Sequence, residues 1–265
     1  MCADRSVPTV MVFSGNDPTG GAGIQADIEA LGSHGCRAAP VITALTVQDT
    51  GNVIAVEPVP ADLLVEQARA VLDDMPVAAF KIGLIGAAET AEALHGLLIR
   101  HPGIPVVLDP VLAAGGGAPL ASEALIDTIV DRLLPLTTVL TPNTREAHRL
   151  ARGADTTDAC AMALLERGSE YVLITGADES TERVFNRFYG DRRLLERFAW
   201  ERIPGTYHGS GCTLAASIAG LLARGRPPRI AVREAQQYTW EALRHGYQTG
   251  RGQKMPDRLY WMRDA

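Results

Sequence analysis

Short apolar, β-branched runs alternate with segments of helical period along almost the whole chain, and this alternation constrains the fold more than any other feature. Val10 to Ser14 predicts a strand, closed by Gly15, and Ile24 to Ser33 a helix after a glycine-rich start. Pro40 to Val47 is a strand. Ala61 to Leu72 carries apolar residues at Leu64, Val65, Ala68, Val71 and Leu72, the spacing of one helix face. Strands follow at Ala78 to Ile82 and Pro105 to Leu108, with a helix from Glu89 to Arg100 between them, stopped by Pro102-Gly103. Ser122 to Leu134 is a helix, Thr138 to Thr141 a strand, and Thr144 to Ala151 and Thr157 to Arg167 are helices. Tyr171 to Thr175 is a strand. Val184 to Tyr189 and Arg193 to Trp200 flank Gly190-Asp191 as a hairpin. Helices from Gly211 to Ala223 and Ile230 to Arg244 complete the pattern. Such repeats predict an α/β fold with a mostly parallel sheet and helices on both faces. The chain reads as one domain over residues 1–265, and the tail residues Leu259, Tyr260, Trp261 and Met262 are expected to dock.

Composition narrows the function. The 265 residues are 46% hydrophobic and 21% charged, with a net charge of −6. An acidic chain lacks the basic face that a phosphate backbone needs, so nucleic acid is excluded as the main partner, but nucleotide binding is not. Cys2, Cys36, Cys160 and Cys212 have neither paired nor zinc spacing, which predicts reduced thiols and a cytoplasmic protein. No secretory leader and no membrane-spanning segment is expected. His34, His95, His101, His148 and His245 show no metal spacing and read as ordinary surface or partly buried groups.

In a parallel sheet, ligands sit beyond the carboxyl ends of the strands. Polar or glycine-rich stretches follow four predicted strands, after Ser14, Thr46, Leu108 and Thr141, and would gather at that edge.

His208-Gly209-Ser210-Gly211-Cys212-Thr213 precedes a small-residue helix. The free amides at such a helix start suit a moving phosphoryl group, and a thiol in the first turn is expected below its usual pKa of about 8.5, as a proton acceptor. The same hexapeptide also reads as a glycine-rich cap over a buried cysteine. Asn143-Thr144-Arg145-Glu146 is either a capping box or a carboxylate and amide steering Mg²⁺ near phosphates.

Ser14 to Asp27 contains Gly20-Gly21-Ala22-Gly23 and fits neither a Walker A loop nor a dinucleotide fingerprint. It is either a flexible turn or a close wall for a planar substrate, with Gly15 in backbone contact and Asp27 as a polar anchor. Gln48 either reads an aminopyrimidine edge or belongs to a solvated loop. Asp109, at a strand end, is placed for a metal or a polar network, and Lys81 either joins it or snorkels at the surface. Gly115 to Gly117 form either a lid or a plain loop.

Six stretches, in order along nearly the whole chain, resemble the hydroxymethylpyrimidine/phosphomethylpyrimidine kinase family of thiamine biosynthesis. They are Gly20 to Asp27, Val41 to Thr50, Lys81 to Gly83, Val107 to Val111, Thr141 to Ala147 and His208 to Thr213. The resemblance implies a ribokinase-like fold, a three-layer αβα sandwich, with ATP and Mg²⁺ as cofactors and a homodimer. It implies substrate contacts from Gly15, Asp27, Gln48 and Val111, and an anion hole over Gly209, Ser210, Gly211 and Cys212 with Cys212 as base. It places Asn143, Glu146, Thr175 and Gly211 on the nucleotide side, and Glu146 with Asp109 at the metal.

Two stretches depart from the family pattern. Leu112-Ala113-Ala114-Gly115-Gly116-Gly117 replaces a Met-Val-Ala-Lys/Thr-Ser/Thr-Gly-like run, which bears on a phosphate-contacting or lid residue. Thr175-Gly176-Ala177-Asp178 replaces Lys-Gly-Gly-His, which bears on nucleotide contacts. The expected activity is phosphorylation of a hydroxymethyl aminopyrimidine, with its monophosphate as a second acceptor. The rival readings are a pyridoxal or pyridoxamine kinase of the same fold and a pyrimidine-binding regulatory protein without catalysis.

Overall fold

A computed structural model describes residues 7–115, 117 and 119–263. Cys2, and Gly116 within the glycine stretch, lie outside the described residues. The strands are β1 (Thr9–Asn16), β2 (Arg37–Gln48), β3 (Val53–Pro58), β4 (Val77–Ile82), β5 (Val106–Leu108), β6 (Val139–Leu140), β7 (Tyr171–Ile174), β8 (Arg183–Gly190) and β9 (Arg193–Glu201). They form one sheet in the order β3-β2-β1-β4-β5-β6-β7-β8-β9. Pairing is parallel from β2 through β7, and antiparallel for β3 at one edge and for β8 and β9 at the other.

The eight α-helices described are α1 (Gly23–Ser33), α2 (Ala61–Asp74), α3 (Ala88–Leu98), α4 (Glu123–Thr128), α5 (Thr144–Leu150), α6 (Thr157–Glu166), α7 (Ser210–Ala223) and α8 (Pro228–Arg244). They divide between the sheet faces, as the alternation along β1 requires. Met11 and Phe13 point into a core built with α2 to α6, while Val10 and Val12 point into a second core built with α1, α7 and α8. The three-layer, mostly parallel αβα sandwich matches the expected fold class.

Local departures from the predicted elements have physical causes. β3 lacked a sequence signal because it is a short strand whose Ile54 and Ala55 are exposed; it forms by pairing Ala44–Gln48 of a lengthened β2. Pro40 is tolerated inside β2 because β3 pairs only from Ala44 onward, which leaves the proline on a free edge. The single helix predicted over Ser122 to Leu134 is instead α4, a π turn at Ile129–Leu133 and a 3-10 turn at Leu134–Leu136. Pro135 supplies no amide to extend the α-helical ladder. The tail docks: Met255, Asp257 and Arg258 are buried, Leu259 and Tyr260 are half-buried with Tyr260 against Tyr238 and His245, and only Trp261 and Met262 of the expected four are exposed.

Candidate active site

The register Phe13↔Ile82, Ile82↔Leu108, Leu108↔Leu140 and Leu140↔Val172 brings the carboxyl ends of β1 and β4 to β7 level with one another. A cavity of about 640 Å³ opens beyond that edge. Gly15, Gln48, Asp109 and Val111 line it, as do Asn143, Glu146, Thr175 and all four residues from Gly209 to Cys212. The four post-strand stretches therefore converge. Asn143 and Thr175 are paired by an isolated parallel bridge at the end of β7.

Helix α7 starts at this cavity. Its N-cap, Gly209, adopts a left-handed conformation (φ +82°), and no side chain caps the helix. Glycine is required there on two counts, because any Cβ would overlap the Gly21 carbonyl oxygen. The first-turn amides are thus left for a ligand, with the positive end of the helix dipole behind them.

Asp109 faces this turn. A Cβ added at Gly211 would stand 3.7 Å from both of its carboxylate oxygens. The residue is 4% exposed, and its Oδ2 has no hydrogen-bond partner among the described residues. Burial lifts its carboxyl to about 6, with Lys81 pulling the other way.

Glu146 is held from both sides. Its Oε2 accepts from the Asn143 amide at 3.0 Å and its Oε1 from the Leu112 amide at 3.3 Å. Asn143 Oδ1 in turn accepts from the Glu146 amide at 2.9 Å, which completes a capping box. Burial, then repulsion from Asp109, pushes the Glu146 carboxyl up to about 8. The capping geometry and an inward-facing acid coexist in one residue.

Three expectations are corrected. Asp27 is not on the cavity wall: it is fully buried, with Lys81 Nζ 2.9 Å from Oδ2 and 2.8 Å from Oδ1. Lys81 is not a snorkelling surface residue, being fully buried and 3.4 Å from Ser14 Oγ. Burial opposes its charge, but Asp27, Cys212 and Asp109 together hold its ammonium above the usual range. The Cys212 thiol is not lowered. Burial pushes it up to about 12, and the helix start and the Lys81 charge do not offset that.

Other contributors had no expected role of their own, though several lie within the stretches named above. His208 Nε2 lies 2.9 Å from Asp17 Oδ2, which ties the two glycine-rich turns together. Burial alone would raise Asp17, but hydrogen bonds from His208, Thr19 and the Ala22 amide hold it well below the usual carboxylate range. Asp178, in the departing Thr175–Asp178 turn, accepts from the Thr144 amide at 3.3 Å and the Arg145 amide at 3.1 Å, so it closes off the start of α5. At the far end of the cavity, Trp200, Gln236 and Trp240 form a wall. Gln236 Oε1 accepts from Asn186 Nδ2 at 2.8 Å and from Trp200 Nε1 at 3.2 Å, and Asn186 Oδ1 accepts from the Gly176 amide at 3.1 Å. The tryptophans beside a buried glutamine were the available clue.

The pattern that defines the phosphomethylpyrimidine kinase family matches residues 17–257. The hydroxymethylpyrimidine/phosphomethylpyrimidine kinase of Haemophilus influenzae is 35% identical over 258 residues, covering 93% of this chain and 95% of that one. The thiamine biosynthesis bifunctional protein ThiED of Geobacter sulfurreducens is 37% identical over 254 residues, 92% of this chain. The chain spans 51% of that relative's length, about half. Among solved structures, an ADP complex of Bacillus subtilis pyridoxal kinase superimposes with a TM-score of 0.86 at 26% identity, covering 97% of this chain and 100% of that one.

Proposed function

The chain belongs to the phosphomethylpyrimidine kinase family, and from that premise we propose that it phosphorylates the hydroxymethyl group of 4-amino-5-hydroxymethyl-2-methylpyrimidine with ATP, and then its monophosphate, in thiamine biosynthesis. One observation carries the reading: the uncapped start of α7 opens into a cavity with the planar-substrate wall of Gly15, Gln48 and Val111 on one side and the aromatic Trp200–Trp240 end on the other. A nucleotide entering from the aromatic end and an alcohol held at Gln48 would meet at Gly209 to Cys212.

In this reading the substrate hydroxyl attacks the γ-phosphorus, the bond to the ADP oxygen breaks, and the hydroxyl proton passes to Cys212 as thiolate. Amides of the Gly209–Cys212 turn take up charge on the transferring group. Asn143 and Thr175 flank the nucleotide, and Glu146 orients that edge of the cavity.

Mg²⁺ fits the residues present. The buried, unpartnered Asp109 Oδ2 is a free hard-oxygen donor, and Glu146 stands beside it. Among the described residues no three His, Cys, Asp or Glu side chains form a cage. An ion there would be held by one or two carboxylates, water and nucleotide phosphates. When bound it would neutralise phosphate charge.

A pyridoxal kinase reading draws on the structural likeness to the Bacillus subtilis enzyme, at 26% identity, and has less support than the pyrimidine reading. ADP release measured with hydroxymethylpyrimidine, its monophosphate and pyridoxal separates the readings. Turnover of the pyrimidine alcohol is expected; turnover of pyridoxal alone would replace the assignment, and pyrimidine binding without ADP release would favour a regulatory role.

A homodimer and a cytoplasmic location belong to the same proposal. Thr46, Gln48, Val53 and Val56 turn one face of the β2–β3 ribbon to the cavity, while Leu45 (51%), Val47 (59%) and Ile54 (72%) are exposed. A second copy would cover these apolar side chains. Sedimentation should give a dimer that Val47→Glu converts to monomer; a wild-type monomer at micromolar concentration would remove the dimer. No helix among the described residues is long and apolar enough to cross a membrane.

A further inference from the structure

Arg258 lies one residue beyond the stretch matched by the family pattern. Its side chain is nonetheless among the most buried charges in the chain, at 2% exposure. The guanidinium joins three elements. Nε donates to Thr213 Oγ1 at 2.8 Å, Nη1 to Glu29 Oε2 at 3.1 Å, and Nη2 to the Gly21 carbonyl. Thr213 passes the connection on, its hydroxyl donating to the Gly209 carbonyl at 2.7 Å. Gly209 packs directly on Gly21, leaving no room for a Cβ between the two turns. The guanidinium therefore cross-links the Gly20–Gly23 turn to the start of α7.

The tail has a main-chain anchor separate from this side chain. The Arg258 carbonyl already accepts from Ser33 Oγ at 2.7 Å and from Tyr238 Oη at 2.6 Å. A buried guanidinium costs several kcal/mol to desolvate unless its donors are paired. Here two of the three paired donors face the Gly20–Gly23 turn and the first turn of α7, and the third pairs with Glu29 of α1. Arg258 is not itself part of the cavity lining.

We propose that Arg258 is a positioning residue for phosphoryl transfer, fixing the Gly20–Gly23 turn against Gly209–Cys212 so that the free amides of α7 stay aimed at the transferred group. The proposal rests on the kinase reading above. A small misplacement of such donors is enough to cost about 10²-fold in rate.

The test is steady-state kinetics with hydroxymethylpyrimidine and ATP, well below each variant's unfolding temperature. Arg258→Ala should lower kcat at least tenfold while KM for the pyrimidine changes less than threefold, because the guanidinium bonds none of Gly15, Gln48 and Val111. Millimolar guanidinium should restore part of kcat, and Arg258→Lys should fall between wild type and alanine. Ser33→Ala, which removes the hydroxyl bonded to the Arg258 carbonyl and to Trp261 Nε1 but leaves the guanidinium's bonds in place, should lower Tm and leave kcat alone. Adding Thr213→Val to Arg258→Ala should cost little more, because the two act in series. If Arg258→Ala does not fold, the same kcat-against-KM split is required of Arg258→Lys. A kcat within twofold of wild type in the arginine variant overturns the proposal. So does a loss that follows Tm as in Ser33→Ala and ignores guanidinium. A wild-type enzyme inactive on every substrate would instead sink the kinase reading, and this proposal with it.

Discussion

Lys81 Nζ stands between the two carboxylate oxygens of Asp27, at 2.8 and 2.9 Å, and neither side chain reaches solvent. The pair joins the end of β4 to the middle of α1 below the glycine turns. Gly83 makes room for it, since a Cβ there would lie 2.7 Å from the ammonium and 2.6 Å from Ser14 Oγ. Lys81→Met would strand a buried carboxylate, at a cost of about 3–5 kcal/mol. Lys81→Met with Asp27→Leu should recover most of that loss. Urea unfolding of the single and double variants measures both; equal destabilisation of the two would show that the pair is not the cause.

Cys212 is assigned the substrate proton. Cys212→Ala is expected to lower kcat by about 10² to 10⁴, with nucleotide binding, followed by quenching of Trp200 and Trp240, unchanged. Because burial pushes the thiol up to about 12, the thiolate fraction still grows above pH 9, where Asp109 (about 6) and Glu146 (about 8) have largely titrated. Turnover should therefore keep rising between pH 9 and 10, and that part of the rise should vanish in Cys212→Ala. Near-wild-type turnover in the variant would remove the base assignment.

Gly209→Ala tests the turn itself. The left-handed φ costs a non-glycine residue about 1–2 kcal/mol, and the new methyl would overlap the Gly21 carbonyl. A lower Tm and at least a tenfold loss of kcat are expected. Full activity would mean that the two turns separate more readily than their packing indicates.

His34 supplies an acid limit. Burial, then repulsion from Arg224, lowers its pKa from 6.5 to about 4, and its Nε2 is buried without a partner among the described residues. The unfolded chain thus binds this proton more readily than the folded one. The stability present above pH 6.5 is lost as pH falls toward 4, by about 3 kcal/mol in all. Urea midpoints at pH 7 and pH 4.5 should separate more for the wild type than for His34→Gln; equal separations would exclude His34 as the source.

What could be read from the sequence was local. Gly15 and Gln48 stand at the end of a strand and Asp109 and Asn143 just after one, and parallel pairing carries such positions to one edge wherever the chain runs between them. What escaped was set by distance and by burial. Asp27 looked like a wall residue because its partner lies 54 positions away, and Arg258 carried no signal because Gly21 lies 237 away. The helix dipole acting on Cys212 is a local property visible in six residues, whereas the desolvation that overrides it comes from every element packed around the thiol. β3 pairs only because β2 outruns its apolar pattern to offer it an edge.

The inaccessible ammonium also has a use at the bench. The chain has two lysines, Lys81 and Lys254, against 23 arginines. Lys254 is only partly covered, near the Tyr207 ring, while Lys81 is sealed. An acylating reagent applied to the native protein therefore meets Lys254 and the amino terminus, and a second tagged peptide, containing Lys81, accumulates only as fast as the layer between β4 and α1 comes apart. Mass spectrometry of that peptide against time is a clock for opening at the heart of the molecule, with no probe to install.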